Sequence, residues 1–129
     1  MTAEDETMRT TNRSEVSAYP FAPEDIVMER REIGRDVLFI VRGGAEHIGA
    51  VSTAYAEDAE ITVETTVVPG HKEHLLSEPI ARRAAESLRR TVTVVMGIHY
   101  DGMTQEQIAE VSNRVFRLFE KVLNSPEQK

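Results

Sequence analysis

Cysteine is absent from this 129-residue chain. It has no disulfide framework and no thiolate metal site to draw on, so its stability has to come from a hydrophobic core. A single domain of this length buries such a core without staples. No apolar run approaches the ~20 residues that a membrane-spanning helix needs. The opening stretch, MTAEDETMRTTNRSEV, has acidic residues where a secretory signal has a positive n-region, and it has no apolar h-region. These absences, with the missing cysteines, lead to the expectation of a cytoplasmic protein. Basic charge is also in short supply: 15 Lys and Arg face 22 Asp and Glu, a formal net charge of −7. Such a surface repels a phosphate backbone, which argues against nucleic-acid binding. Nucleophile motifs are missing as well. There is no G-x-S-x-G turn, and neither H-E-x-x-H, C-x-x-C, the dinucleotide fingerprint nor a P-loop occurs.

Hydrophobic residues at 40% and charged residues at 29% place the chain among ordinary globular domains. Residues 1–24 are polar and aperiodic and close on Pro20 and Pro23, which reads as a flexible N-terminal tail before a single domain over 25–129. Four strands are expected in succession. Residues 25–33 end at Gly34. The β-branched run 37–42 ends at Gly43-Gly44. Residues 47–55 are rich in small side chains, and 61–68 alternate until Pro69-Gly70. A helix follows. Ser77 suits its N-cap with Pro79 in the first turn, although a start near Lys72 with a kink at Pro79 fits equally. Residues 91–98 form the strongest strand of all. Thr104 and Gln107 form a capping box that opens a last helix, whose apolar stripe runs Ile108, Val111, Val115, Leu118, Val122. The expected fold is α+β in ββββαβα order: a mixed, mostly antiparallel sheet with two helices on one face.

The four histidines all fall at strand ends or in loops. His47 follows R-G-G-A-E, His71 follows Pro-Gly, His74 lies three residues on, and His99 ends the strongest strand. If those strand ends share a rim, three imidazoles converge, and neutral imidazole is a common ligand for zinc and similar divalent metals. Glu46, Glu73 and Asp101 stand nearby as carboxylate ligands or orienting partners. The competing reading is that scattered loop histidines are simply solvated. Arg42-Gly43-Gly44 and Pro69-Gly70-His71-Lys72 offer backbone N–H groups and positive charge for an anion, or mere turns. The pairs Arg82-Arg83 and Arg89-Arg90 read as a solvated helix face.

Three stretches taken together carry a resemblance: I-G-R-D through R-G-G-A-E-H-I-G-A-V (33–51), V-P-G-H-K-E (68–73), and T-V-T-V-V-M-G-I-H-Y-D-G-M-T-Q-E-Q-I (91–108). In this order and spacing the chain resembles the small D-subunit family of gallate-type decarboxylases, the LpdD-like prenylated-flavin chaperones, from about residue 26 to the end of the last helix. The resemblance implies a non-catalytic protein that binds prenylated FMN. It would accompany a flavin prenyltransferase and a prenylated-flavin-dependent decarboxylase. The family's histidines match His47, His71 and His99, with His74 peripheral, and Gly43, Gly44, Gly49, Lys72, Glu73 and Asp101 fall in its motif positions; joined to the residue reading, this gives the expectation of a divalent metal on the three histidines and a cofactor surface that also takes in Arg42 and Gly70. Homo-oligomerisation stays open. Two other readings remain: a small histidine-metal hydrolase or isomerase, and an accessory subunit that binds a decarboxylase without cofactor.

Overall fold

The structure is a computed structural model, and it describes residues 18–125. Its frame is set by strand alternation. In β2 (Asp36–Gly44), Val37, Phe39 and Val41 are buried, and their neighbours are half-exposed. In β5 (Val92–His99), Val92, Val94 and Met96 are buried in phase with them, because the parallel register pairs Phe39 with Val94 and Val41 with Met96. β3 (Ala50–Glu57) runs antiparallel to β5 on its other side, with Ala50 opposite Met96 and Ala54 opposite Val92. The outer strands β1 (Val27–Ile33) and β4 (Glu60–Val67) pair antiparallel with β2 and β3. The order across the sheet is β1-β2-β5-β3-β4. The sheet is therefore mixed and mostly antiparallel, as the strand and helix order ββββαβα led us to expect.

The buried side chains of the strands point to one face, and both helices cover it. α1 (His74–Leu88) lies over β3, β4 and β5, using Ile80, Ala81, Ala84 and Ala85. These alanines match the small residues Ala50 and Ala54 beneath them, so the helix approaches closely. α2 (Gln105–Leu123) packs beside it and against β1 through Val111, Val115, Phe119, Val122 and Leu123. Phe119 meets Phe39 edge-to-face, with ring centroids 6.0 Å apart. The capping box is formed: Gln107 N–H donates to Thr104 Oγ1 at 3.1 Å, and Thr104 N–H donates to Gln107 Oε1 at 3.0 Å.

Three local expectations shift. The third strand begins at Ala50, not at His47. Ile108 heads the α2 stripe, but its side chain stays largely exposed. Ser77 is not a cap: α1 already starts at His74, and Ser77 is buried with its Oγ 2.7 Å from Ser52 Oγ, which in turn lies 2.8 Å from Thr65 Oγ1. A buried serine inside an apolar helix face is tolerated because the sheet supplies its hydroxyl partner.

Residues 1–17 of the expected tail lie outside the described residues. Residues 18–26 run along the end of β5. Asp101 N–H donates to the Tyr19 carbonyl at 2.8 Å, and Tyr19 N–H donates to Asp101 Oδ2 at 3.2 Å. Phe21 packs on Tyr100, and the Tyr100 hydroxyl donates to the Ala22 carbonyl at 2.7 Å. Burial pushes the Tyr100 hydroxyl up to about 12, so it stays a donor at any working pH.

One charged side chain is built into this core. Arg30 is on the helix face of β1, and its Nη1 donates to the Leu123 carbonyl at 2.7 Å, capping the C-terminus of α2. Its Nε is held by Glu32 at 3.0 Å. Arg30→Ala removes the cap and leaves a buried carbonyl and Glu32 short of a partner, so we expect a loss of about 1–3 kcal/mol. Chemical unfolding measures it; an unchanged midpoint would show that α2 ends independently of β1.

Candidate metal and ligand site

The topology forces a crossing. β2 and β3 flank β5, so residues 45–49 that join them have to pass over the end of β5. The loop is stitched down at both ends: Ala45 N–H donates to the His99 carbonyl at 3.0 Å, and Gly49 N–H donates to the Met96 carbonyl at 2.9 Å. The passage is possible because Gly97 has no side chain; a Cβ there would fall on the carbonyl of His47. Gly97 was not singled out in the sequence. Its only signal was a glycine inside the strongest strand, which marks a close backbone approach. Gly97→Ala is expected to lift the 45–49 loop, lowering the melting temperature and divalent-metal affinity together. A variant that keeps metal affinity would show that the crossing does not position His47.

The crossing brings His47 to His71 and Glu73. His71 follows the Pro69-Gly70 turn, where Gly70 has φ 87°, a left-handed conformation suited to glycine. Glu73 is the residue at which α1 starts, and its carbonyl accepts the first helical bonds from Leu76 and Ser77. The ring centroids of His47 and His71 are 4.5 Å apart. Ligand atoms of His47, His71 and Glu73 all lie within 4.8 Å of one another. Glu73 is pressed against Gly49: a Cβ at that position would collide with its carboxylate.

The protonation logic of this group is informative. His47 Nδ1 lies 3.0 Å from the Ala45 carbonyl, which can only accept, so Nδ1 carries the hydrogen. In the neutral ring Nε2 is then a bare lone pair, and it sits 2.7 Å from Glu73 Oε2. That approach lacks hydrogen-bond geometry; His47 Nε2 and Glu73 Oε1 are both buried without a hydrogen-bond partner. Glu73 Oε2 accepts from the Ile98 N–H at 3.2 Å, and His71 Nδ1 stands 3.9 Å from Oε1. Unshared acceptors facing each other are costly unless something positive lies between them. A second ring proton, which makes the contact an ion pair, meets that demand, and so does a divalent cation; two imidazoles with one carboxylate are a donor set for zinc, manganese or ferrous iron that leaves positions open. The residues fit a metal.

Beside the group opens a cavity of about 320 Å³ between the start of α1, the end of β5 and the start of α2. Leu75, Leu76, Met96, Ile98, Ile108 and Val111 make its walls, and His71, Lys72, Glu73 and His99 its polar edge. Leu75 and Ile108 are exposed at the mouth, with 64% and 47% of their surface open. An apolar cleft with a few convergent polar groups is the usual form of a small-molecule site. It suits a flat ring system that carries an anionic end.

The other residues expected at the site are distributed differently. His99 lines the cavity but does not join the three-residue group; its Nε2 lies 2.8 Å from Asp101 Oδ1. Asp101 also fastens Tyr19. Gly70 and Lys72 line the cavity. Arg42 is engaged by Glu46 at 2.9 Å and Glu29 at 3.6 Å, outside the cavity lining; these carboxylates hold its guanidinium more firmly protonated than usual. Gly43 packs under Ile26 and Tyr100, and Gly44 turns the chain at φ 63° over the His99 carbonyl. His74 Nδ1 is buried without a partner, but His74 lies outside the group.

Residues 21–127 match the family described as the prenylated flavin chaperone LpdD-like domain. Protein LpdD of Lactiplantibacillus plantarum is 39% identical over 80 residues, which is 60% of this chain and 59% of that protein. The similarity thus spans about three-fifths of the relative's length. Among solved structures, a chain of a chaperone complex for yeast 20S proteasome assembly superposes with a TM-score of 0.48 at 11% identity, covering 84% of this chain and 96% of that one.

Proposed function

The chain belongs to the prenylated flavin chaperone LpdD-like family, and on that premise we propose that it carries prenylated FMN rather than turning over a substrate. The observation that carries the reading is the juxtaposition of the unsatisfied His47–Glu73 pair and His71 with the apolar-walled cavity. Leu75, Leu76 and Ile98 offer the apolar surface a flavin ring needs. Lys72 and the metal group offer positive charge to its phosphate. His47, His71 and Glu73 would hold the divalent metal, which when bound supplies a Lewis-acidic position for a phosphate oxygen. The family's name connects such a carrier with prenylated-flavin chemistry; we assign its working partners as a flavin prenyltransferase that supplies the cofactor and a decarboxylase that receives it, in the cytoplasm.

Native mass spectrometry of the protein co-expressed with a flavin prenyltransferase tests the reading. The expected result is a species with one prenylated FMN and one divalent metal per chain, together with flavin absorbance. The same spectrum reports whether the chain is a monomer or a homo-oligomer. Flavin-free protein from cells that make the cofactor would overturn the proposal. Turnover of a phosphoester by the metal-loaded protein alone would favour the enzyme reading, and flavin-free co-purification with the decarboxylase would favour the accessory-subunit reading.

A further inference from the structure

A second cleft, of about 270 Å³, opens at the opposite end of β5, between the β1–β2 turn, the end of β3 and the C-terminus of α1. Arg35, Arg89 and Arg90 line it with Asp36, Ile61 and Thr91. Three guanidinium groups around one cleft are unexpected in a chain of net charge −7.

The three arginines are not equivalent. Arg90 is a structural tie: its guanidinium donates to the carbonyls of Arg35 at 2.7 Å and Asp36 at 3.3 Å and pairs with Glu32. It fastens the β1–β2 turn to the end of α1, and the Arg90 pairing also holds the Glu32 carboxyl below its ordinary range. The side chains of Arg35 and Arg89, by contrast, have no hydrogen-bond or ion-pair partner among the described residues. Arg89 is the C-cap of α1 in a left-handed conformation, φ 58°, and its backbone N–H closes on the Ala85 carbonyl. The turn that carries Arg35 and the cap that carries Arg89 are both held by backbone bonds. Two exposed arginines with unengaged guanidiniums therefore line one cleft from rigid supports, with Ile61 as an apolar wall.

We propose that this cleft binds the phosphoryl group of a small molecule. A guanidinium presents its N–H groups as a planar fork that matches oxyanions, and one fork is enough for one carboxylate. Two free forks in one cleft exceed a carboxylate's two oxygens but suit a tetrahedral phosphoryl dianion. The Asp36 carboxylate in the lining repels any anion, but the two unpaired guanidiniums outnumber it, and the net positive charge they leave is used more fully by a dianion than by a monoanion. Its volume exceeds that of phosphate alone and leaves room for an apolar body against Ile61. The site is independent of the histidine cavity, from which the length of β5 separates it by on the order of 25 Å.

The test is a titration of the full chain with pyrophosphate, followed by amide NMR at constant ionic strength, with succinate as the carboxylate arm. Saturable shifts at residues 35, 36, 90 and 91 are expected at millimolar pyrophosphate or below, with succinate at least tenfold weaker. Arg35→Glu and Arg89→Asn should each weaken pyrophosphate at least tenfold. Asn tolerates the left-handed cap, so the second variant keeps α1 intact. Arg117→Glu, on the exposed side of α2, is the control and should bind as the parent does. Non-saturating shifts, equal loss in the control, or succinate binding as tightly as pyrophosphate would overturn the proposal.

Discussion

Glu73→Gln is expected to lower divalent-metal affinity by about 100-fold or more while the protein stays folded. Loss of a partner that merely orients a ligand costs 10–100-fold, and Glu73 stands among the ligand atoms themselves. The amide is isosteric and keeps an oxygen that can accept from the Ile98 N–H, so the start of α1 retains its anchor. What disappears is the negative charge beside two imidazoles. His47→Ala and His71→Ala should act alike, and flavin binding should fall with the metal in all three. His99→Ala is the discriminating variant, because its ring pairs with Asp101 rather than meeting the group. It should retain most metal and lose part of the flavin affinity through the cavity edge. Isothermal titration with zinc and manganese, with thermal unfolding alongside, reads both quantities. Metal lost as fully in His99→Ala as in His47→Ala would make histidine the third ligand; metal retained in Glu73→Gln would remove the carboxylate from the site.

Val115→Asp is expected to cost about 4 kcal/mol or more, a large share of the roughly 5–15 kcal/mol that a domain has. Val115 is fully buried at the middle of α2, in the core that also holds Phe39 and Phe119. A carboxylate there has no partner, and desolvation penalises its charged form. The sign with pH follows from that. Burial raises the introduced carboxyl's folded-state pKa above its unfolded value of ~4. The charge penalty is therefore full above the folded pKa and fades as pH falls towards the unfolded one, leaving the packing loss. Denaturant unfolding at pH 7 and pH 4.5 measures it. A pH-independent penalty, or normal stability, would mean that α2 does not dock through this residue. The acidic-side measurement has to be read as a difference from the parent, since the parent's own carboxylates titrate there too.

Much of the fold is local and was readable. Val37, Phe39 and Val41 alternate because β2 has one buried face, and Val92, Val94 and Met96 alternate in β5 for the same reason. Thr104 and Gln107 cap α2 by bonds that span three residues, so the motif alone placed the helix start. The N-terminus of α1 was not readable in this way. Ser77 has the chemistry of a cap, but its hydroxyl found its partner in Ser52 on β3, a residue 25 positions away in the chain. His47 was expected to open a strand, and it lies instead in the loop that crosses β5.

Sequence alone established the α+β fold, the acidic charge and the placing of the histidines at element ends or in loops, since these follow from periodicity, charge and turn residues. It also put forward His47, His71 and His99 as the metal ligands, with Glu73 as a nearby carboxylate. Only the tertiary structure decided which side chains meet. β5 enters between β2 and β3, so the link between those strands has to cross it, and a glycine at 97 lets His47 descend onto Glu73. The same geometry turns His99 to Asp101 and sets Arg35 beside Arg89, pairings between residues far apart in the chain that no local pattern encodes.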